Sequence, residues 1–171
     1  MPYSNYVPGV KADFDRLYSD SYPKIFATTL VLLRDPVAAE DCTQETFVKA
    51  FKAWRHWRAD APAEAWLHSI AVNVVISWKR KEKVRNLVSG SFGHEPPEVA
   101  AAPTQQDTNL ALVEALRQLP PPQAMIIVMR HLHGYSNREI AQALKISEST
   151  VASRLAMAKT KLQKLVDTSA D

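Results

Sequence analysis

Residues 137–156, NREIAQALKISESTVASRLA, decide how the C-terminal part of this chain folds. Ser136, which precedes this stretch, and Glu139 have the spacing of a capping box, in which each side chain accepts the other residue's backbone N–H at a helix start. A short apolar helical face follows, then a turn around residues 145–146, and Ser147 is placed to cap a second helix. Two helices joined in this way predict a helix-turn-helix, the motif whose second helix enters the major groove of DNA.

The second helix has a single apolar stripe. Its members alternate spacings of four and three residues: Val151, Leu155, Ala158, Leu162 and Leu165. Mostly outside the stripe, near the helix start where a recognition helix meets base edges, lie Ser149, Thr150, Ser153, Arg154 and Met157. A plain helical hairpin has the same stripe, so this pattern alone leaves both DNA binding and simple helix packing open.

Composition limits the class of protein. The chain has 171 residues, a net charge of +3 and one cysteine, Cys42, which excludes an internal disulfide and fits a reducing compartment. The first residues lack the charged and apolar regions of a signal peptide. No apolar run reaches the length of a membrane span. These features predict a soluble, cytoplasmic protein.

Helical periodicity without strand-like alternation predicts an all-α chain. Residues 13–33 have helical spacing, and Pro23 predicts a kink or a restart there. Asp35 followed by proline predicts the start of a second helix that runs to about residue 57. The side chains expected to be buried in this second helix are Ala39, Cys42, Phe47, Ala50, Phe51 and Trp54. A third helix, apolar first and strongly basic at its end, is expected over about residues 63–85.

The middle of the chain differs in composition. Between residues 86 and 107 the periodicity disappears, and acidic residues occur without any Lys or Arg, which predicts an acidic flexible linker over 86–107. Helices are expected again from about Asp107 to Leu119, and from the prolines at 120–122 to His133, where Gly134 is a stop signal. The expected architecture is therefore two small helical domains, over residues 10–85 and 108–168, the second a four-helix domain with the helix-turn-helix.

Three sequence strings resemble bacterial RNA polymerase sigma factors of the extracytoplasmic-function type, group 4 of the sigma-70 family. They are AEDCTQETF at residues 39–47, AWLHSIAVN at 65–73, and LPP at 119–121 followed by GYS at 134–136 and the helix-turn-helix. The resemblance covers about residues 14–165. It implies binding to core polymerase through the β′ clamp and the β subunit, recognition of −10 and −35 promoter elements, assistance in DNA melting, and an anti-sigma factor as a further partner.

The resemblance assigns polymerase binding to one face of the second helix. Asp41, Gln44 and Glu45 are at i, i+3 and i+4 and share a face, which by periodicity alone is a solvated polar surface. In the family the matching stretch docks on the coiled-coil clamp of the β′ subunit. The contact residues expected from this match are Asp41, Gln44, Glu45, Val48 and Lys49.

The match also implies a −10 element site in the loop near residues 58–63 and the helix after it. The expected contacts, with the basic pair on phosphates, are Trp57, Arg58, Asn73, Lys79 and Arg80. Trp54, Trp57 and Trp66 are aromatic enough to hold an extruded base. Core packing is the favoured interpretation for Trp54 and Trp66, whereas Trp57 stays open. A basic helix end can likewise serve only the helix dipole.

Two positions before the AWL string depart from the family. Many members have an aromatic-basic pair where this chain has Ala63 and Glu64, and a basic residue is common at Val72. A weaker or unusual −10 preference is therefore expected.

The helix-turn-helix corresponds to the family's −35 site. The expected contacts are Ser149, Thr150, Ser153, Arg154, Met157 and Lys159. Ala152 and Met157 stand where many relatives are basic, which predicts a reduced electrostatic grip. The acidic linker is either a plain tether or, as the resemblance implies, a strand that threads polymerase surfaces built to hold a polyanion.

Two other function classes compete with this interpretation. A stand-alone helix-turn-helix regulator would explain the C-terminal half but leaves the acidic face and the basic helix end unexplained. A metal enzyme is disfavoured because His131 and His133, at i and i+2, point to different faces of a helix. No nucleophile-base pair or phosphate loop occurs, so no catalytic residue, metal or cofactor is expected.

Overall fold

The computed structural model describes residues 5–90 and 106–169, which are helical with no strand in either range. The N-terminal half contains α1 (Lys11–Leu33), α2 (Pro36–Ala53), a 3₁₀ turn (Trp54–His56) and α3 (Ala63–Ser89). The C-terminal half contains α4 (Gln106–Gln118), α5 (Pro121–Ile127), a π-helical turn (Val128–Leu132), α6 (Asn137–Leu144) and α7 (Glu148–Ser169). The all-α prediction and the four-helix C-terminal half with its helix-turn-helix are confirmed.

The helix starts follow the capping signals in the sequence. The Asp35 carboxylate accepts two backbone N–H groups at the start of α2. At α6 the capping box is complete, because the Ser136 hydroxyl accepts the Glu139 N–H at 3.2 Å and the Glu139 carboxylate accepts the Ser136 N–H at 2.8 Å. Lys145 takes the left-handed conformation, with φ of 55°, and turns the chain toward Ser147, which caps α7. Local chemistry therefore sets the helix-turn-helix.

Several helix boundaries differ from those predicted; α2, for example, ends at Ala53 and is followed by a 3₁₀ turn to His56. Helix α1 continues through Pro23 without a restart; proline removes only one backbone bond there, and buried neighbours such as Leu17 and Ile25 hold both parts of the helix. Helix α3 extends beyond residue 85 to Ser89, because no breaker occurs before Gly90, whose φ is 65°. Helix α4 begins at Gln106. The predicted linker is thus helical at both ends, and residues 91–105 lie outside the described residues.

The burial pattern of α2 differs from the prediction at one residue. Ala39, Cys42, Phe47 and Ala50 are buried, but Phe51 is 53% exposed. Because consecutive residues of a helix point about 100° apart, burial of Ala50 turns its neighbour Phe51 toward the edge of the core. An aromatic side chain is therefore available on the surface of α2.

The two halves pack directly against each other. Helix α3 contacts α5 and α6, helix α1 contacts α4 and α5, and buried residues of both halves belong to one continuous cluster. On the α1–α4 side, Arg117 donates to the Val31 carbonyl at 3.2 Å, and Glu114 forms ion pairs with Arg117 and Arg34. The described residues thus form one closed body. Helical periodicity did not predict this contact between the two halves.

Candidate functional site

The proposed polymerase face of α2 is a continuous exposed surface. All five expected contact residues are exposed, and Glu45 pairs with Lys49 at 3.0 Å along the helix. Val48 and Phe51, each 53% exposed, add an apolar patch beside the carboxylates. A polar rim around exposed aliphatic and aromatic groups is typical of a protein docking surface. The i, i+3 and i+4 spacing predicted an exposed polar face here, whereas Phe51 was expected to be buried.

Beside this face, two hydrogen bonds favour the ionised form of the Glu40 carboxyl group. The Tyr22 hydroxyl and the Gln44 amide both donate to the Glu40 carboxylate, and these hydrogen bonds lower the pKa of Glu40. Behind the face, burial raises the pKa of the Cys42 thiol to about 12, helped by Glu45 and Asp41. Cys42 is therefore a neutral packing residue, and the acidic charge of the face is carried by carboxylates alone.

The tryptophans of the predicted −10 site lie mainly in the core. The ring of Trp57 is 6% exposed and stacks on Trp54 with centroids 5.2 Å apart. The Trp54 indole N–H donates to the Val10 carbonyl at 2.9 Å. Only Trp66 is partly exposed. Trp54 and Trp57 are therefore core residues in this structure, and Trp57 would have to leave its stack with Trp54 to contact DNA.

The other expected −10 contacts fall on two different faces of the N-terminal half. Arg58, Asn73 and Arg80 are exposed. Lys79 is partly buried beside Arg117 of α4, and burial, together with this like charge, lowers the pKa of Lys79. Lys79 therefore faces the C-terminal half instead of the expected DNA side, since it lies on the face of α3 that packs inward.

The expected −35 contacts lie on the exposed side of α7, with two qualifications. Ser149, Ser153, Met157 and Lys159 are exposed. The Ser147 hydroxyl, however, lies 2.9 Å from the Ser149 hydroxyl and 2.7 Å from that of Thr150, so these groups are engaged in the helix cap. Arg154 is only partly exposed.

Asn73 and Arg154 line the same cleft. This cleft, between α3 and the helix-turn-helix, has a volume of about 360 Å³ and is lined among others by Trp66, Ser69, Asn73, Lys145 and Arg154. A second cleft of about 100 Å³ brings Arg58 against Gln142 of α6. A recognition helix must enter a DNA groove about 12 Å wide, so clefts of this size cannot admit a duplex. Asn73, which is exposed, and Arg154, which is partly exposed, thus both border one cleft of the closed chain.

A polar cluster that the sequence did not predict lies between the halves. Glu64 of α3 accepts from Lys24 of α1 at 2.8 Å and from the Tyr135 hydroxyl of the C-terminal half at 3.3 Å. His68 of α3 and His133 flank the Thr28 hydroxyl. The only signal in the sequence was Glu64 itself, which departs from the family pattern at that position. Its partners are too far away along the chain for any helical periodicity to reveal them.

Each half of the chain matches a known protein family, and most of the chain matches known proteins. Residues 17–85 match the family Sigma-70 region 2, and residues 109–162 match Sigma-70, region 4. The ECF RNA polymerase sigma factor SigL of Mycobacterium tuberculosis is 33% identical over 148 residues, which is 81% of this chain and 80% of that protein. This chain belongs to the extracytoplasmic-function (ECF) sigma factor family. SigM of the same species is 29% identical over 161 residues, covering 94% of this sigma factor and 81% of SigM.

Solved structures share the fold of this sigma factor. The sigma factor RpoE from Bartonella quintana, crystallised with the anti-sigma factor NepR, aligns with a TM-score of 0.72 and 26% identity, over 91% of this chain and 97% of that one. CnrH in complex with the cytosolic domain of CnrY aligns with a TM-score of 0.66 over 94% and 91%. The region 2 match begins within α1 and ends within α3; the region 4 match falls within α4–α7.

Two features are absent from the described ranges 5–90 and 106–169. No three His, Cys, Asp or Glu side chains there are grouped to hold a metal ion. No helix in these ranges is both long and apolar enough to cross a membrane.

Proposed function

We propose that this ECF sigma factor binds core RNA polymerase, directs it to promoters with particular −10 and −35 elements, and helps to melt the DNA there. The observation that carries the proposal is the presence of both sigma-70 regions, in order, in one chain. A stand-alone helix-turn-helix regulator would need only the second region. The protein is then an initiation factor without catalysis of its own, and it acts in the cytoplasm with the polymerase.

Co-purification with core polymerase tests the proposal against the regulator alternative. A sigma factor is retained on immobilised core enzyme in the absence of DNA, whereas a stand-alone regulator is retained only on DNA. Absence of any binding to core enzyme would reject the proposal.

The α2 face is the proposed polymerase-binding surface. Asp41, Gln44 and Glu45 are positioned to pair with basic groups of the β′ clamp and to guide association, and Val48 with Phe51 supplies apolar contact area. Lys49 is held by Glu45 and lies at the edge.

Reversing two charges tests this surface. Asp41→Lys with Glu45→Lys is expected to weaken core polymerase binding roughly tenfold, mainly through slower association, because rim charges act on encounter. Competition binding at moderate salt measures the effect. The matched control is Asp15→Lys with Asp167→Lys, two exposed carboxylates outside this face. Equal affinities for the two double variants would remove the α2 face from the interface.

Promoter contacts are proposed on both halves once they separate. Arg58, Asn73 and Arg80 are the −10 candidates that keep an exposed side chain, and Arg154 and Lys159 are the cationic −35 candidates. Trp57 and Lys79 would have to leave their buried sites to take part, so we assign them no direct contact in the closed chain.

An anti-sigma factor is the proposed regulatory partner. The support is that a 26% identical chain of the same fold was crystallised with an anti-sigma factor. Pull-down from the source bacterium with the tagged chain should recover both core polymerase and a second small protein; recovery of polymerase alone under all growth conditions would argue against an anti-sigma partner.

A further inference from the structure

The Glu40 carboxylate of α2 accepts hydrogen bonds from two different helices. The Tyr22 hydroxyl of α1 and the side-chain amide of Gln44, one turn further along α2, both donate to Glu40 Oε1, the amide at 3.0 Å. An ionised carboxylate can only accept hydrogen bonds, and these two bonds lower the pKa of Glu40. Glu40 is therefore an acceptor shared between α1 and α2.

Packing fixes the tyrosine end of this network. The Tyr22 ring stacks on Phe47 with centroids 5.8 Å apart and an angle of 18° between the ring planes. It also contacts the Tyr18 ring, with centroids 5.3 Å apart. Contact with two other rings limits the positions that the phenol can take, and its single hydroxyl proton goes to Glu40. Tyr22 thus holds the Glu40 carboxylate in place.

The carboxylate of Glu40 decides which way the Gln44 amide is turned. Only the NH₂ group of a side-chain amide can donate, so this group faces Glu40 and the amide oxygen lies on the opposite side. The Gln44 side chain is exposed, and its oxygen has no hydrogen bond to the residues that the structure describes. The pair therefore presents an acceptor that points away from Glu40.

This orientation matches the neighbours of Gln44. Asp41 and Glu45 are exposed on the same face of α2, and their carboxylates also accept hydrogen bonds. With the amide turned as described, the three side chains present oxygen acceptors side by side. A reversed amide would instead place an NH₂ donor among the carboxylates. A surface of acceptors is complementary to a partner surface of N–H donors, such as arginine and lysine side chains.

We propose that Glu40, itself held by Tyr22, is a positioning residue for polymerase binding: it turns the Gln44 amide oxygen outward, where an N–H donor of the β′ clamp binds it. This proposal rests on the proposed function, because it requires the α2 face to be the polymerase-binding surface. A side chain that is already held in its bound orientation loses less conformational freedom on binding, which strengthens association.

Binding of the full-length chain to core RNA polymerase tests the positioning role. Glu40→Leu removes the acceptor at similar side-chain size and is expected to weaken binding roughly three- to tenfold. Glu40→Gln removes the charge but keeps an oxygen that can accept from both donors, so its affinity should stay within about twofold of the wild type. A carboxylate that acted only through its charge would instead lose as much in Glu40→Gln as in Glu40→Leu.

A double-mutant cycle with Gln44→Ala shows whether Glu40 acts through Gln44. In the Gln44→Ala background, Glu40→Leu should weaken binding no further, because the side chain that it positions is gone. A merely structural role of Glu40 would lower the affinity equally in both backgrounds. Tyr22→Phe keeps the ring and removes the hydroxyl, so a smaller loss with the same dependence on Gln44 is expected. If Glu40→Leu does not fold, Tyr22→Phe takes its place in the cycle.

Helix α7 offers a matched control pair. The Gln163 amide donates to the Asp167 carboxylate at 2.9 Å, with the same spacing of four residues and outside the α2 face. Asp167→Leu should therefore leave the affinity for core polymerase unchanged.

Each remaining outcome decides the proposal. Wild-type affinity in Glu40→Leu, equal losses in Glu40→Leu and Glu40→Gln, or a loss that persists in the Gln44→Ala background would overturn the positioning role while the sigma factor still binds polymerase. Failure of the wild type itself to bind core polymerase would reject the proposed function, and the positioning role with it.

Discussion

Leu155→Ala is expected to lower the free energy of unfolding by about 2–5 kcal/mol, the range for deleting a buried leucine side chain. Leu155 lies on the inward stripe of α7, in the same buried cluster as Ile140 and Val151, so its loss opens a cavity under the helix-turn-helix. Urea unfolding measures the change, and the midpoint should fall while the slope stays the same.

The same helix offers a matched control for this stability effect. Met157→Ala also truncates a large apolar side chain, but Met157 is 60% exposed and should change stability by no more than about 0.5 kcal/mol. Similar losses for the two variants would mean that α7 does not pack through the Val151–Leu155 stripe.

Arg154→Ala is expected to act on promoter binding and not on the fold. If the guanidinium contacts a base of the −35 element, holoenzyme affinity for the promoter should fall by about 1–3 kcal/mol, and the preference at that base pair should relax. Arg154 comes one residue before the buried Leu155, so its long side chain lines the cleft between α3 and the helix-turn-helix. Separation of the two halves would expose this side chain to DNA.

A phosphate contact predicts a different pattern for the same variant. Affinity would then fall evenly across promoter sequences, and the salt dependence would weaken by about one unit of slope. Lys161→Ala, an exposed cation further along α7, is the control for the loss of one positive charge. If Arg154→Ala leaves −35-dependent transcription unchanged, α7 does not dock in the groove through this side of its first turns.

Local signals in the sequence predicted the helices and most of their starts. Asp35, Ser136 and Ser147 cap helices through bonds to residues two or three positions away, and such chemistry is visible in a single sequence. The exposed polar face of α2 was predicted for the same reason, since residues at i, i+3 and i+4 share one side of a helix.

Contacts between distant segments could not be predicted in this way. Thr28 and His133 are 105 positions apart, and helical periodicity says only that a residue faces inward, not what it meets there. Trp57 illustrates the limit, because its burial follows from the tertiary stack with Trp54. Lys79, which joined the DNA candidates through its charge, lies beside α4 because the two halves pack together.

Glu64 shows how a departure from a family pattern can mark such a contact. The sequence predicted only that its acidic side chain would weaken −10 recognition. In the structure the carboxylate contacts Ser21 and Lys24 of α1 and Tyr135 of the C-terminal half, so it joins α3 to two other segments of the chain. A negative charge at this position therefore stabilises the closed contact.

The most direct test of the central claim is in vitro run-off transcription with core polymerase that is free of other sigma factors. The template is a promoter identified by mapping transcription starts after overexpression of this chain. We predict that initiation requires the chain and is lost when either the −10 or the −35 element of that promoter is scrambled. Initiation that is equally efficient without the chain, or that persists when both elements are scrambled, would contradict its assignment as a promoter-specificity factor.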